Sequence, residues 1–186
     1  MIRVALKAAR LVPLVVAAAV AAVVGHLSQG ALLDTPVLPQ GIPASWLVVM
    51  VSALLFSVAI RSPWDSYAAS LRRPVVVQAL TVGIGLALSF GAYAPLLVAA
   101  RRTSEHVAWV LLLSIGAVAA AIDARLAWMP VLLVGLVLEA ANNLGRGQVE
   151  LWLAGHATEV TWIAALFLCA GVAGVLARAR DARWYR

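Results

Sequence analysis

Glu139, Asn142 and Asn143 have the strongest case for chemistry in this sequence, because they lie at the end of an otherwise apolar run. A carboxylate within an apolar span is costly to bury, and such residues mark substrate or ion pathways. In one interpretation, these side chains form the polar lining of a substrate path. In the other, Glu139 lies at a membrane interface and reaches water. The sequence leaves both interpretations open.

No nucleophile signature, nucleotide loop or metal-ligand pair accompanies these residues. The sequence has neither a G-x-S-x-G elbow nor a G-x-x-x-x-G-K-[ST] loop. The three histidines lack a ligand spacing such as H-x-x-x-H, although several acidic residues lie in the same connections. The residues concerned are His26, His106, His156, Asp34, Glu105, Glu150 and Glu159. We therefore expect no catalytic residue, no metal site and no cofactor bound by this chain.

The composition is that of an integral membrane protein. Hydrophobic residues make up 64% of the 186 positions, against roughly 45–50% in soluble domains. The net charge of +6 comes without a basic stripe interleaved with aromatic residues, so nucleic acid is not an expected partner and membrane lipids are. The lone cysteine, Cys169, is expected to be a packing residue. We expect one all-α transmembrane domain over residues 1–186.

Six apolar segments approach the length of about 20 residues that a spanning helix needs. They cover residues 11–27, 45–60, 75–99, 107–122, 126–141 and 161–177. The fourth and fifth segments are separated only by 123–125, so they form either a tight hairpin or one bent element. Six spans are predicted, with five as the alternative. Residues 142–160 are predicted to form an outer connection that contains a short helix.

The distribution of Lys and Arg predicts the orientation, because cytoplasmic loops carry an excess of both. With the N-terminus in the cytoplasm, eleven of the 14 basic residues lie on the cytoplasmic side. The other three are Arg101, Arg102 and Arg146. Both termini are therefore predicted to be cytoplasmic.

The N-terminal residues 1–12 allow two interpretations. Arg3, Lys7 and Arg10 share one helical face, which suits an amphipathic surface helix, but they equally suit a plain positive flank of the first span. The start also resembles a signal peptide. Because no clear A-x-A cleavage site follows, we interpret residues 11–27 as a retained first span.

Residues 61–74 are the longest polar break in the front half of the chain. Trp64, Tyr67 and Leu71 recur at three- and four-residue spacing, and charged residues surround them. This pattern is typical of a short amphipathic helix at a membrane surface. The predicted orientation places this segment in the cytoplasm.

This layout resembles the permease subunits of ABC exporters, the six-span family that handles drugs, antibiotics, peptides and polysaccharides. The hairpin over residues 101–130, with the run Arg125-Leu126-Ala127-Trp128-Met129-Pro130, is similar to the small Ala/Leu-rich permeases of actinobacterial exporters. The resemblance implies a bacterial cytoplasmic membrane, a second permease copy or sister permease, and separate ATP-binding subunits that hold ATP and Mg²⁺. It also implies an amphipathic or apolar substrate.

The same resemblance makes residues 61–74 a coupling helix that docks on the ATP-binding subunit. The coupling residues would be Arg61, Trp64, Asp65, Tyr67, Arg72 and Arg73. Residues 1–12 would be the amphipathic helix that precedes the first span in this family.

Two other functions fit the sequence. The first is the substrate-binding membrane subunit of a vitamin-uptake system, which also has six spans at this length. Its ligand pocket would lie within one protomer, with polar groups from Glu139, Asn142, Asn143 and His156. The second is an accessory membrane protein that takes no part in transport.

Overall fold

The computed structural model describes residues 11–27, 31–33, 42–60, 74–99 and 103–181. Within these residues the chain is all-helical apart from one two-residue antiparallel pairing. The elements are α1 (Leu11–Leu27), β1 (Leu32–Leu33), β2 (Ile42–Pro43), α2 (Ala44–Ile60), α3 (Pro74–Ala99), α4 (Thr103–Asp123), α5 (Trp128–Leu144), α6 (Gln148–Gly155) and α7 (Ala157–Asp181). Residues 1–10 and 61–73 of the predicted N-terminal and coupling segments lie outside the described residues.

Three to four of the described helices are candidate membrane spans. Helices α3, α4 and α7 are each long and apolar enough to cross a membrane, and α5 with α6 forms a fourth candidate bent by 111°. Helices α1 and α2 are shorter apolar helices. The all-helical, membrane-compatible class is therefore confirmed. Six crossings and cytoplasmic termini stay predictions.

Helix α2 lies at the centre of the bundle, in contact with α1, α3, α4 and α5. Twelve of its 17 residues are buried, so its sequence is apolar on every face, as a surrounded helix requires. The two buried hydroxyls within it are satisfied locally. Ser52 Oγ donates to the Val49 carbonyl at 2.8 Å, and Ser57 Oγ donates to the Ala53 carbonyl at 3.2 Å.

Helices α4 and α7 pack against each other at close range because glycines line the contact. A Cβ added to Gly171 would lie 2.5 Å from the Ala117 carbonyl carbon, and one added to Gly174 would lie 2.8 Å from the Ala121 Cβ. Small residues at a helix contact allow the backbones to approach in this way. The two helices therefore pack backbone to backbone along this contact.

A short turn joins α4 to α5. The Asp123 carboxylate accepts a hydrogen bond from the Arg125 backbone N–H at 2.8 Å, and the Leu126 N–H donates to the Asp123 carbonyl at 3.2 Å. Arg178 of α7 donates from Nη1 to the Ala121 and Ile122 carbonyls. A cation at these terminal carbonyls stabilises the end of α4.

Candidate solute-binding cleft

A cleft opens at the end of the bundle where α2 and α4 begin and α5 ends; this end is called the cleft end below. It has a volume of about 350 Å³, its mouth included. Its apolar walls come from Pro43, Trp46, Val149 and Leu153. Its polar groups are Ser104, Glu105, Glu139, Asn142 and Glu150. No Lys or Arg is among the described residues that line it.

Glu139 is buried because it continues the core-facing stripe of α5. Val131, Gly135, Glu139 and Asn143 recur every four residues and are the buried residues of this helix. Only 4% of Glu139 is exposed, so its carboxylate does not reach bulk water as an interfacial one would. Among the residues that the structure describes, none donates a hydrogen bond to this carboxylate or forms an ion pair with it. Its side chain lines the cleft.

Glu105 also lines the cleft, but unlike Glu139 its carboxylate accepts a hydrogen bond from a described residue. It lies in the first turn of α4 and is 6% exposed. Ser45 Oγ, from the first turn of α2, donates to Glu105 Oε1 at 2.6 Å. A carboxylate at a helix N-terminus is also stabilised by the helix dipole. This hydrogen bond ties the beginnings of α2 and α4 together at the cleft wall.

Asn142 and Glu150 connect the end of α5 to the beginning of α6. The Glu150 backbone N–H donates to Asn142 Oδ1 at 2.9 Å, which satisfies one of the N–H groups left free at the start of a helix. Ser104 Oγ donates to Glu150 Oε1 at 3.4 Å, so α4 also holds this carboxylate. The side-chain carbonyl of Asn142 thus has a structural role, and Asn142 also lines the cleft.

The bend between α5 and α6 positions α6 so that it forms one wall of the cleft. Arg146 and Gly147 have positive φ angles of 52° and 85°, and the Gly147 N–H donates to the Asn142 carbonyl at 2.8 Å. This left-handed reversal ends α5 and turns α6 by 111°. As a result, Val149 and Leu153 lie over the end of α5.

A second polar cluster lies between α3 and α4, and its groups bind one another. The Tyr93 hydroxyl hydrogen-bonds to His106 Nδ1, and the Tyr93 ring stacks on Trp109 at 4.5 Å between centroids. Trp109 Nε1 donates to Ser89 Oγ at 3.2 Å. These mutual contacts indicate a role in fixing α3 against α4. Glu139 at the cleft end differs from them in that it has no hydrogen-bond donor among the described residues.

The structure brings together two of the three residues that the sequence singled out. Glu139 and Asn142 line the cleft, whereas Asn143 is buried on the same stripe without lining it. His156 is exposed and stacks on Trp152 at 4.8 Å, outside the cleft lining. The six predicted coupling residues (Arg61, Trp64, Asp65, Tyr67, Arg72 and Arg73) all lie outside the described residues.

Sequence reasoning did not select Glu105 and Glu150 for this cleft. It considered them only as metal ligands, and the described residues contain no group of three His, Cys, Asp or Glu that could hold a metal ion. The signal that was available is their position: each lies in the first turn of a helix, and α4 and α6 both begin at the same predicted side of the membrane.

Fold and site together define an all-helical protein with three to four candidate membrane spans and a cleft that contains three carboxylates. No protein-family model, curated protein or solved structure matches the chain.

Proposed function

We propose that this chain is the solute-binding membrane subunit of an uptake transporter and that the cleft is its binding site. The observation that carries the proposal is the buried Glu139 carboxylate, which faces the cleft with no partner in the described part of the chain. Ionisable groups within membrane proteins are costly and mark substrate or ion sites. The uptake alternative predicted polar groups from Glu139 and Asn142 in its pocket, and both residues line the cleft.

The proposed topology has six crossings, with both termini in the cytoplasm and the cleft on the outer side. The bias of eleven basic residues against three supports it. In the described residues, Arg125, Arg178 and Arg180 lie at the end opposite the cleft, and Arg146 is the basic residue at the cleft end. Helices α1 and α2, at 17 residues each, are at the short limit of about 17–25 residues for a span.

Energy for transport would come from ATP-binding subunits on other chains, with ATP and Mg²⁺ bound there. The ABC-exporter permease stays an alternative, and its coupling segment lies outside the described residues. The cleft favours uptake over export because a buried carboxylate lines it together with two further carboxylates. An exporter permease would instead be expected to build an apolar path together with a second copy.

A pair of tryptophan substitutions on α6 tests the cleft as the binding site. Val149 lines the cleft, whereas Leu151 on the same helix is exposed. The full chain would be purified in lipid nanodiscs and examined by native mass spectrometry for a co-purified small molecule. We expect the wild type and Leu151→Trp to retain the solute, and Val149→Trp to lose it because the added ring occupies the cleft.

Equal solute retention in both variants would exclude the cleft as the site. Co-purification of a soluble ATPase that is lost in the double variant Trp64→Ala/Tyr67→Ala, without any small molecule, would support the exporter permease instead. A chain that retains no solute in any variant and binds none from a mixed metabolite pool would contradict the proposed function.

A further inference from the structure

We infer that the solute is a small organic cation with a protonated amine, and that Glu139 binds the amine. This inference rests on the proposed function, because it specifies the solute of the same cleft. Three observations carry it: the charge of the lining, the spacing of its carboxylates and the apolar wall beside them.

The described lining favours a cation over an anion or a neutral solute. Three carboxylates line the cleft without a Lys or Arg among the described lining residues. An anion would be repelled by all three. A neutral solute would add no counter-charge for Glu139 to the described lining, and an unpaired charge in a low-dielectric site is strongly destabilising. A cation removes that cost on binding.

Hydrogen bonding identifies Glu139 as the carboxylate with capacity for the ligand. Glu105 accepts from Ser45 at 2.6 Å, and Glu150 accepts from Ser104 at 3.4 Å. Glu139 is 96% buried, given its exposed fraction of 4%, and accepts from none of the described residues. A protonated amine supplies several N–H donors, which form charge-assisted hydrogen bonds with a carboxylate.

The spacing of the acidic groups suits a polyatomic cation better than a single metal ion. Within the described residues, no three His, Cys, Asp or Glu side chains are close enough to hold one ion. An organic cation can place its amine at Glu139 and extend its carbon chain along the cleft. Because the volume of about 350 Å³ includes the open mouth of the cleft, the enclosed part is smaller than a typical ligand pocket of roughly 300–1,000 Å³, and the cation must be small.

The apolar walls accommodate the carbon chain of such a cation. Trp46 and Leu153 line the cleft, and the Trp46 ring is held in place because its Nε1 donates to the Gly135 carbonyl at 3.4 Å. An indole face attracts an ammonium group, and an aliphatic stem packs against it. Carboxylate, indole and leucine side chains together match an alkylamine.

The test measures thermal unfolding of the full chain in nanodiscs of neutral phospholipid, followed by tryptophan fluorescence. The probes are ethanolamine, putrescine and agmatine, with 1,4-butanediol as the neutral comparison and succinate as the anionic one. We expect the amines to raise the unfolding midpoint in a concentration-dependent way, as ligands that bind the folded state do. Butanediol and succinate should leave it unchanged.

Two glutamine substitutions locate the amine. Glu139→Gln should weaken amine binding by about tenfold or more, the loss expected for a charge-assisted hydrogen bond. The matched control is Glu159→Gln, which removes an exposed carboxylate from the same end of the bundle and should bind as the wild type does. Amine binding to Glu139→Gln with wild-type affinity would overturn the inference.

A second measurement on the wild type does not depend on how the variant folds. Dicyclohexylcarbodiimide, which modifies carboxyl groups in apolar surroundings, should label Glu139, and putrescine should protect it, as peptide mass spectrometry would show. Labelling of Glu139 that putrescine does not reduce would contradict the inference.

The outcomes separate this inference from the proposed function. Binding of succinate or butanediol that is lost in Val149→Trp would retain the cleft as a solute site and exclude the cation. A chain that responds to none of the probes and retains no solute from cells would exclude both.

Discussion

At the scale of single residues, Glu139 differs from Glu105 in what the protein supplies to it. Both carboxylates are almost fully buried at the same cleft. Glu105 accepts a hydrogen bond from Ser45 at 2.6 Å and lies at a helix N-terminus. Glu139 receives neither kind of support within the described residues. A buried carboxylate without such support lowers the stability of the fold and is retained where function requires it. Substitution of Glu139 should therefore raise the stability, and substitution of Glu105 should lower it.

We predict that Glu139→Gln stabilises the ligand-free protein by about 1–2 kcal/mol, because it removes a buried charge that has no partner among the described residues. Glu105→Gln should destabilise it by a similar amount, since it weakens the hydrogen bond to Ser45. Thermal unfolding of both variants in the absence of amines measures the difference. A loss of stability in Glu139→Gln would indicate that this carboxylate has a partner within the protein. It would then be less suited to bind the amine of the solute.

At the scale of elements, the reversal between α5 and α6 determines where the α6 wall of the cleft lies. Gly147 has a φ of 85° and nothing within 4 Å of the position that a Cβ would occupy. The cost of a side chain there is therefore conformational and not steric. Gly155, at the end of the same short helix, also faces open space but is not in the left-handed region. Substitution of these two glycines therefore compares a position in the left-handed conformation with one outside it, at equal free space.

We expect Gly147→Ala to destabilise the protein by about 1–2 kcal/mol, the cost of placing an L-residue in the left-handed conformation. It should also weaken solute binding, because Val149 and Leu153 depend on this turn for their position. Gly155→Ala should change stability by less than about 0.5 kcal/mol. Unfolding midpoints and the solute retained in nanodiscs would be compared for the two variants. Equal effects would mean that the turn does not control the cleft.

Hydropathy predicted the apolar middle of each helix well and the ends less well. The segment predicted at 107–122 is the helix Thr103–Asp123, and the one predicted at 161–177 is Ala157–Asp181. Most of the missed residues are polar ones in the first and last turns, where unsatisfied backbone groups favour them. The bend of 111° between α5 and α6 was not predicted from the sequence.

The cleft could be predicted only in part, for a related reason. Glu139 and Asn142 stand out as polar residues ending an apolar run. The hydrogen bond from Ser45 to Glu105 joins residues 60 positions apart, and no periodicity in the sequence connects them. Convergence of helix N-termini at one end of a bundle depends on tertiary packing, which a linear pattern does not encode.

At the scale of the whole molecule, the proposed topology places the cleft and the α4–α5 turn on opposite sides of the membrane. The prediction uses single cysteines in a Cys169→Ser background. Gln148→Cys at the cleft end should react with a membrane-impermeant maleimide in intact cells, and Leu126→Cys in the turn should react only after lysis; both positions are exposed. The reverse pattern would invert the topology, and labelling of both in intact cells would exclude a crossing between them.

The glycine contact between α4 and α7 restricts how the helices that line the cleft can move. Gly171 places the two backbones in direct contact near their middle, and Arg178 fastens the last carbonyls of α4. Both contacts restrain α4 against α7 over the half of α4 that lies away from the cleft. Helix α6 follows a three-residue turn, is held to α4 and α5 by the hydrogen bonds of Glu150 with Ser104 and Asn142, and exposes Leu151 and Trp152. Any movement of α6 away from α4 and α5 would break both hydrogen bonds of Glu150 and would carry the exposed Leu151 and Trp152 with it.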